Sequence, residues 1–160
     1  MKITILCVGK IKEKFYTAAI AEYVKRLSRY CKLEIVEVAD EKTKDRASLA
    51  EEAMIKQREG DKLKRYLDGK EAYRIALAID GAMLDSVELS EEMNRLMVRG
   101  CSHIIFVIGG SLGIADDVLS MMDYRLSFSK MTFPHQLMRV VLLEQVYRSY
   151  RIMNHEPYHK

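Results

Sequence analysis

Two short and almost continuously apolar runs, YRIALAI (73–79) and HIIFVI (103–108), constrain the fold of this chain most strongly. Runs of this length and composition are typical of strands buried on both faces, because a half-exposed strand alternates apolar and polar residues. Strands of that kind belong to parallel sheets with helices packed on both sides. The two runs therefore predict an α/β domain with a mainly parallel sheet.

The rest of the chain alternates between strand and helix patterns. Strands are predicted at 2–8, 33–38, 73–79, 103–108 and 125–129, and helices at 13–30, 45–67, 86–99, 112–121 and 134–153. A turn is expected at Asp80–Gly81. Ser111 is expected to cap the helix over 112–121, and Gly100 is expected to end the helix over 86–99. Since no repeat or linker interrupts the pattern, residues 1–160 are predicted to form a single domain.

Composition narrows the class of protein. The chain has 160 residues and a net charge of +3. A chain of this length can bury a core without disulfides or metals. Cys7, Cys31 and Cys101 are odd in number and lack CxxC spacing, so free thiols in a reducing compartment are expected. The apolar run at 3–8 is too short for a signal peptide, and no run approaches the ~18 residues of a membrane span. We therefore expect a cytoplasmic protein with no membrane partner.

A candidate binding site lies where three predicted strands end, because ligands of parallel sheets bind at the carboxyl ends of the strands. The three ends are residues 77–81, 107–111 and 126–133. The paired glycines Gly109 and Gly110 let a ligand approach the backbone, and the helix after them offers N–H groups to a carboxylate or phosphate. The GGSLG run is also compatible with an ordinary tight turn. It departs from the dinucleotide fingerprint GxGxxG, which disfavours a nicotinamide cofactor.

Three segments carry a resemblance to a known family: KITILCVGK at the start, VIGGSLG after the fourth predicted strand, and LSFSKMTFPHQLMRVVLLEQVYRSYRIMNHEPYHK at the end. Together they resemble the ribosomal RNA large-subunit methyltransferase H family, a small member of the SPOUT class. The likeness runs from Met1 to Lys160. It is most specific in the FSKMTFPHQ loop and the terminal PYHK, whereas residues 40–73 contribute little.

The resemblance implies a fold and a cofactor. The fold is an α/β sheet with a deep trefoil knot in roughly residues 73–160, in a homodimer packed near the knot. The cofactor is S-adenosylmethionine, held by the knotted loops without a metal ion. The family's cofactor-contacting positions fall on the same strand ends, and with the neighbouring Gly110 they are Leu77, Gly109, Gly110, Phe128, Ser129, Lys130, Met131, Thr132 and Phe133.

The activity implied is methylation at N3 of a pseudouridine in a hairpin loop of large-subunit (23S) ribosomal RNA, on assembled ribosomes and not on DNA. Such a transfer needs the base nitrogen aligned with an electrophilic methyl group, and the N3 proton must leave. Candidates for orientation or proton handling, all in motifs that match the family, are His135, Arg139, Tyr158 and His159. In the family the terminal tail is implied to fold over the active site.

Each of these candidates has an open alternative. His135 also suits a helix start at which it bonds the backbone, and Tyr158 and His159 also suit a frayed terminus. We expect Arg139 to anchor an RNA phosphate or the tail, although a guanidinium on a helix is often only solvated. The last helix is apolar on more than one face, which indicates packing on the sheet and on a second copy.

Two other functions stay open. The first is a non-catalytic ribosome-associated or RNA-binding protein with the same knotted fold, whose RNA binding would not depend on S-adenosylmethionine. The second is a regulatory nucleotide-binding domain, which would hold a phosphate at Gly109 and Gly110 and show no RNA preference. Basic clusters, among them Lys10, Lys12 and Lys14, permit an RNA partner but also suit a solvated face.

Overall fold

Strands and helices alternate along the chain as predicted. The computed structural model describes all residues from Met1 to Lys160. Its elements are β1 (Lys2–Val8), α1 (Lys14–Leu27), β2 (Lys32–Val38), α2 (Leu49–Leu67), β3 (Tyr73–Met83), α3 (Ser86–Val98), β4 (His103–Ile108), α4 (Asp116–Leu119), β5 (Tyr124–Ser127) and α5 (His135–Met153). No helix is both long enough and apolar enough to cross a membrane.

The five strands form one sheet in the order β2-β1-β4-β3-β5, and every neighbouring pair is parallel. Lys2 of β1 pairs with Lys32 on one side and with His103 on the other. The prediction of a single α/β domain with a parallel sheet is therefore confirmed. In such a sheet all five carboxyl ends lie along one edge, where the loops that follow the strands meet.

Both faces of the sheet are covered, which explains the continuous apolar runs. On one face Ile5 and Phe106 pack in a buried cluster with Leu142 and Val146 of α5. Leu6 and Val107, the next residues along the same strands, point to the other face. There they pack in a second buried cluster with residues of α2 and α4. Because successive strand residues point to opposite faces, two covered faces require an apolar residue at nearly every position.

The turn predicted at Asp80–Gly81 is wrong. β3 continues to Met83, and its pairing with β5 shifts register between Leu77 and Ala82, as in a bulge. A Cβ atom on Gly81 would lie 2.7 Å from the backbone of Arg125. The glycine is therefore required by the close approach of two paired strands and not by a turn.

The helix predicted over 112–121 is shorter than expected. It covers only Asp116–Leu119, Ala115 is its N-cap residue, and Ser111 does not cap it. A tight turn takes up the intervening residues: the Gly113 N–H donates to the Gly110 carbonyl at 3.0 Å, and Gly113 has a φ of +88°. Residues 110–113 therefore form a loop and not a first helical turn.

Other boundaries shift by a few residues. α2 begins at Leu49 instead of 45, because Ser48 and Glu51 form a capping box that starts the helix there. β5 ends at Ser127 instead of 129. Gly100 follows α3 with a φ of +88°, which confirms its predicted role at the end of that helix.

The three cysteines are free thiols, as expected. Cys7 is fully buried in β1, and burial raises the pKa of its thiol to about 12. A thiol with so high a pKa stays protonated and behaves as a small apolar side chain.

Candidate functional site

A cavity of about 680 Å³ opens at the carboxyl ends of β3, β4 and β5. This volume lies within the ~300–1,000 Å³ of small-molecule and cofactor sites. Its walls are residues 77–80, 108–114, 126–129 and 131–135, together with Lys56, Asp116, Leu119 and Met138. The cavity thus forms at the three strand ends where the sequence predicts a site.

The structure brings most of the predicted cofactor contacts together around this cavity. Those that line it are Leu77, Gly109, Gly110, Phe128, Ser129, Met131, Thr132 and Phe133. Lys130 is exposed and does not line the cavity. Their roles toward a ligand stay a prediction, but their proximity is a property of the fold.

Glycines let the backbone itself form part of the wall. A Cβ atom on Gly109 would lie 2.8 Å from the carbonyl group of Gly113, so no larger residue fits there without a shift. A Cβ atom on Gly110 would lie 2.9 Å from the carboxylate of the buried Glu59, on α2. The turn after β4 is therefore packed tightly against its surroundings.

The loop after β5 is shaped by its serines. The Ser127 hydroxyl donates to the Ser129 carbonyl at 3.1 Å, and the Ser129 hydroxyl accepts from the Met131 N–H at 3.0 Å. Short side-chain bonds of this kind replace regular structure and hold a turn. Met131 and Phe133 follow with exposed fractions of 73% and 40%. An apolar, partly open rim therefore borders the cavity.

Four ionisable side chains line the cavity: Lys56, Asp80, Asp116 and His135. Asp80 lies 3.7 Å from Arg125, with both side chains well exposed. The neighbouring lysines on α2, Lys62 and Lys64, pair with carboxylates, whereas Lys56 takes part in no ion pair. Sequence reasoning missed Lys56, because a lysine in the charged α2 segment carries no signal that distinguishes it from the others.

His135 begins α5 and contributes to the cavity wall. Burial, and then the positive charge of Arg139, lower the pKa of its imidazole from the ordinary value. The ring is therefore neutral at neutral pH. It lies against the loop after β1, where a Cβ atom on Gly9 would be 3.2 Å from His135 Nε2.

Arg139 lies one helical turn further on and is only 2% exposed. Its Nη1 donates to Glu37 Oε2 at 2.6 Å, and its Nη2 donates to the Gly9 carbonyl at 3.1 Å. A buried guanidinium with these partners does not reach an RNA phosphate or the tail. The expectation that Arg139 anchors either of them is therefore corrected: the residue ties α5 to the ends of β1 and β2.

Tyr158 and His159 fold back on α5, away from the cavity of their own chain. The Tyr158 hydroxyl donates to Glu144 Oε1 at 3.1 Å, and its ring meets Tyr147 edge to face at 5.0 Å. Burial and the Glu144 carboxylate raise the pKa of Tyr158 to about 12. His159 Nδ1 lies 3.3 Å from an Arg148 nitrogen. The tail is packed rather than frayed, but neither residue lines the cavity.

Comparisons with known sequences match the whole chain. A family model described as a predicted SPOUT methyltransferase covers residues 1–159. The chain is 58% identical to the ribosomal RNA large subunit methyltransferase H of Clostridium novyi (strain NT) and 57% identical to that of Clostridioides difficile (strain 630). Each alignment spans 160 residues and 100% of both chains.

Comparisons with solved structures concern the fold alone. A probable methylase family protein from Haemophilus influenzae Rd KW20 matches with a TM-score of 0.54 at 11% identity, over 99% of this chain and 70% of the other. A putative methyltransferase from Legionella pneumophila, solved with its cofactor SAM, matches with a TM-score of 0.51 at 9% identity, over 94% of this chain and 66% of the other.

Proposed function

This chain belongs to the ribosomal RNA large-subunit methyltransferase H family of SPOUT methyltransferases, and from that premise we propose that it methylates N3 of a pseudouridine in large-subunit ribosomal RNA. The methyl donor is S-adenosylmethionine, and the substrate is the RNA in assembled ribosomes of the cytoplasm. The observation that carries the proposal is the cavity at the ends of β3, β4 and β5, formed by the loops in which the family resemblance is most specific.

The residues of the cavity suit S-adenosylmethionine chemically. Leu77, Ile108 and Phe128 supply apolar surface for the adenine ring and for the methylene groups of the cofactor's methionine chain. The glycine turn after β4 places backbone groups in the wall, where they can bond a ribose or an adenine edge. For the charged amino-acid end of the cofactor, Lys56 offers a cation to the carboxylate and Asp116 an anion to the ammonium group.

When bound, S-adenosylmethionine supplies a methyl group that its sulfonium already makes electrophilic. The protein's task is then to align the base nitrogen and to exclude water, effects worth up to ~7–11 kcal/mol in the best cases. The rim residues Met131 and Phe133 border the cavity and offer apolar surface to a base. The proposed transfer needs no metal ion.

His135 is the proposed proton acceptor or orienting group. It lines the cavity, and its lowered pKa keeps the imidazole neutral and able to accept a proton at neutral pH. Asp80 and Asp116 are the other bases of the lining, but both are exposed to water. The half-buried position of His135 therefore favours it over the two carboxylates.

A homodimer is part of the proposal. Tyr158 and His159 pack against the side of α5 and do not line the cavity of their own chain. A catalytic role for these residues therefore requires the cavity of a second copy. Ile79, Met83 and Val87 expose 56%, 56% and 38% of their surface near the end of β3. Exposed apolar side chains at neighbouring positions of the chain suit a contact with a second copy.

A trefoil knot in residues 73–160 is also proposed, from the family resemblance. What supports it is that the resemblance is most specific in the C-terminal third of the chain, where the family has its knot.

The test is transfer of labelled methyl from S-adenosylmethionine to ribosomes that lack the modification, with free ribosomal RNA and small subunits as comparisons. We expect label at one pseudouridine of the large-subunit RNA. RNA binding that does not depend on S-adenosylmethionine, with no label transferred, would indicate the non-catalytic RNA-binding alternative instead. Label on free RNA in preference to ribosomes would contradict only the part of the proposal that makes assembled ribosomes the substrate.

A further inference from the structure

The loops after β1 and β2, together with the first residue of α1, carry a group of exposed basic side chains at the same edge of the sheet as the cavity. They are Lys10, Lys12, Lys14, Lys42, Lys44 and Arg46, all of them exposed and none of them in an ion pair. Three free carboxylates lie among them, at Glu13, Asp40 and Asp45, while Glu41 is paired with Lys62 at 2.8 Å. Six basic and four acidic residues give these segments a net charge of +2, within a chain whose total is +3.

The basic loops adjoin the cavity. Gly9, which leads into the first loop, lies against His135 of the cavity wall. Glu59 connects the second loop to the glycine turn, because it accepts from the Glu41 N–H at 3.4 Å and lies against Gly110. Arg139 bonds the Gly9 carbonyl from the core and so holds the first loop in place. A ligand that occupied both the cavity and these loops would rest on one continuous surface.

An exposed aromatic side chain accompanies the charges. Phe15, directly after Lys14, exposes 66% of its surface, and its ring packs on Tyr16 with centroids 4.4 Å apart. Nothing in the core requires a phenylalanine at this position. An exposed aromatic ring beside unpaired lysines is the combination that binds single-stranded nucleic acid, since bases stack on the ring and phosphates meet the cations.

We propose that the six basic residues and Phe15, called here the basic edge, bind single-stranded or loop RNA beside the target nucleotide while the cavity holds the reacting base. The inference rests on the proposed function and adds to it which side chains contact the RNA. A second copy of this chain suits the surface less well, because two faces of the same positive charge would repel each other.

The experiment measures binding of ribosomes that lack the modification, and of a labelled oligouridine, to three variants. One replaces Lys10, Lys12 and Lys14 with glutamine, a second replaces Lys42, Lys44 and Arg46 with glutamine, and the third is Phe15→Ala. We expect each triple variant to weaken RNA binding at least tenfold. Its log–log salt dependence should become shallower by about 0.7 for each phosphate that is no longer neutralised. We expect Phe15→Ala to weaken binding about tenfold, because the base then has no ring on which to stack.

The matched control replaces Lys25, Lys32 and Arg99 with glutamine, which removes the same charge from exposed positions near the opposite edge of the sheet. RNA binding should then change less than twofold, and S-adenosylmethionine affinity should stay unchanged in all four variants. Equal losses in the control and the test variants would overturn the basic edge. So would a change of oligomeric state in Phe15→Ala without a change in RNA binding. If the unaltered protein methylates no RNA, the proposed function fails instead.

Discussion

Arg139 of α5 and Glu37 of β2, 102 residues apart in sequence, are joined by a 2.6 Å hydrogen bond beneath the loop that follows β1. The guanidinium is 2% exposed and the carboxylate 34%. The bond therefore fixes the first turn of α5, which carries His135, relative to the ends of two strands. Through the Gly9 carbonyl, Arg139 also holds the start of the first loop of the basic edge.

Replacing Arg139 should therefore lower the stability of the fold. We expect Arg139→Met to lower the free energy of unfolding by about 1–3 kcal/mol, because the Gly9 carbonyl and the Glu37 carboxylate both lose their buried donor. Urea unfolding measures the loss. Arg26→Met, which breaks an exposed pair with Glu22, should cost less than about 1 kcal/mol. Equal losses in the two variants would contradict the structural role of Arg139.

Gly81→Ala should disrupt the cavity without touching a ligand. Its Cβ atom would lie 2.7 Å from the Arg125 backbone, so β3 and β5 must separate. We expect a loss of roughly 1–3 kcal/mol in unfolding free energy, as for other overpacked sites, together with a loss of cofactor binding. Gly69→Ala is the control, since that position has a φ of +66° but no atom within 4 Å. It should cost about 1–2 kcal/mol and leave cofactor binding intact.

The reaction should lose rate in acid because of His135. Its pKa is lowered from the usual range, so the imidazole is neutral at neutral pH and gains a proton only as the pH falls through that lowered pKa. We expect the single-turnover rate of methyl transfer to be flat near neutral pH and to fall at lower pH. In His135→Asn the rate should be low and this acid limb absent. An unchanged pH profile in the variant would assign proton transfer to another group.

The lowered pKa of His135 also affects how the free energy of unfolding depends on pH. A histidine whose pKa is lowered by folding binds its proton more readily in the unfolded chain, so the stability it contributes declines as the pH falls below the unfolded value of about 6.5. Urea unfolding at several pH values should therefore show a smaller decline in His135→Asn than in the unaltered protein.

Deleting Tyr158, His159 and Lys160 should separate turnover from cofactor binding. These residues do not line the cavity of their own chain, so S-adenosylmethionine affinity should stay within twofold of its original value. We expect turnover on ribosomes to fall more than tenfold. Tyr158→Phe removes only the hydroxyl that bonds Glu144 and should show how much of the effect depends on it. Unchanged turnover after the deletion would limit the tail to packing on α5.

Lys56 gives a test of cofactor orientation. If its ammonium group meets the cofactor carboxylate, Lys56→Gln should weaken S-adenosylmethionine binding about fivefold, equivalent to ~1 kcal/mol for one partly exposed charge pair. Lys56→Arg should retain most of the affinity. The control is Arg58→Gln, on the same helix but outside the cavity lining, which should have no effect. Calorimetric titration of S-adenosylmethionine into each variant measures the difference.

The sheet and the place of the site could be predicted because their signals are local. Continuous apolar runs such as HIIFVI identify buried strands, and the carboxyl ends of those strands define where loops converge. The family resemblance then named residues at the same three ends. Of these, Lys130 is the one that the structure does not place in the cavity wall.

What the sequence could not show depends on contacts between distant segments. Asp80–Gly81 suggests a turn, and only the approach of Arg125 shows that the glycine is needed where β3 and β5 pair closely. Arg139 has the appearance of a solvated helix residue, since its partner Glu37 lies on another element. Lys56 reaches the cavity from a helix with many similar charges. In each case tertiary packing decides the role of a residue whose local pattern is ordinary.

The strand order has a consequence for synthesis on the ribosome. β1 pairs with β4 in the sheet, with Lys2 opposite His103. About two thirds of the 160 residues must therefore be synthesised before β1 can pair on that side. α5, which covers one face of the core, comes last of all. Parallel pairing across such separations is slow, because a long loop must close before any contact between the strands can form. The nascent chain therefore exposes an unpaired apolar edge of β1 until β4 has been made, and one face of the core stays uncovered until α5 follows.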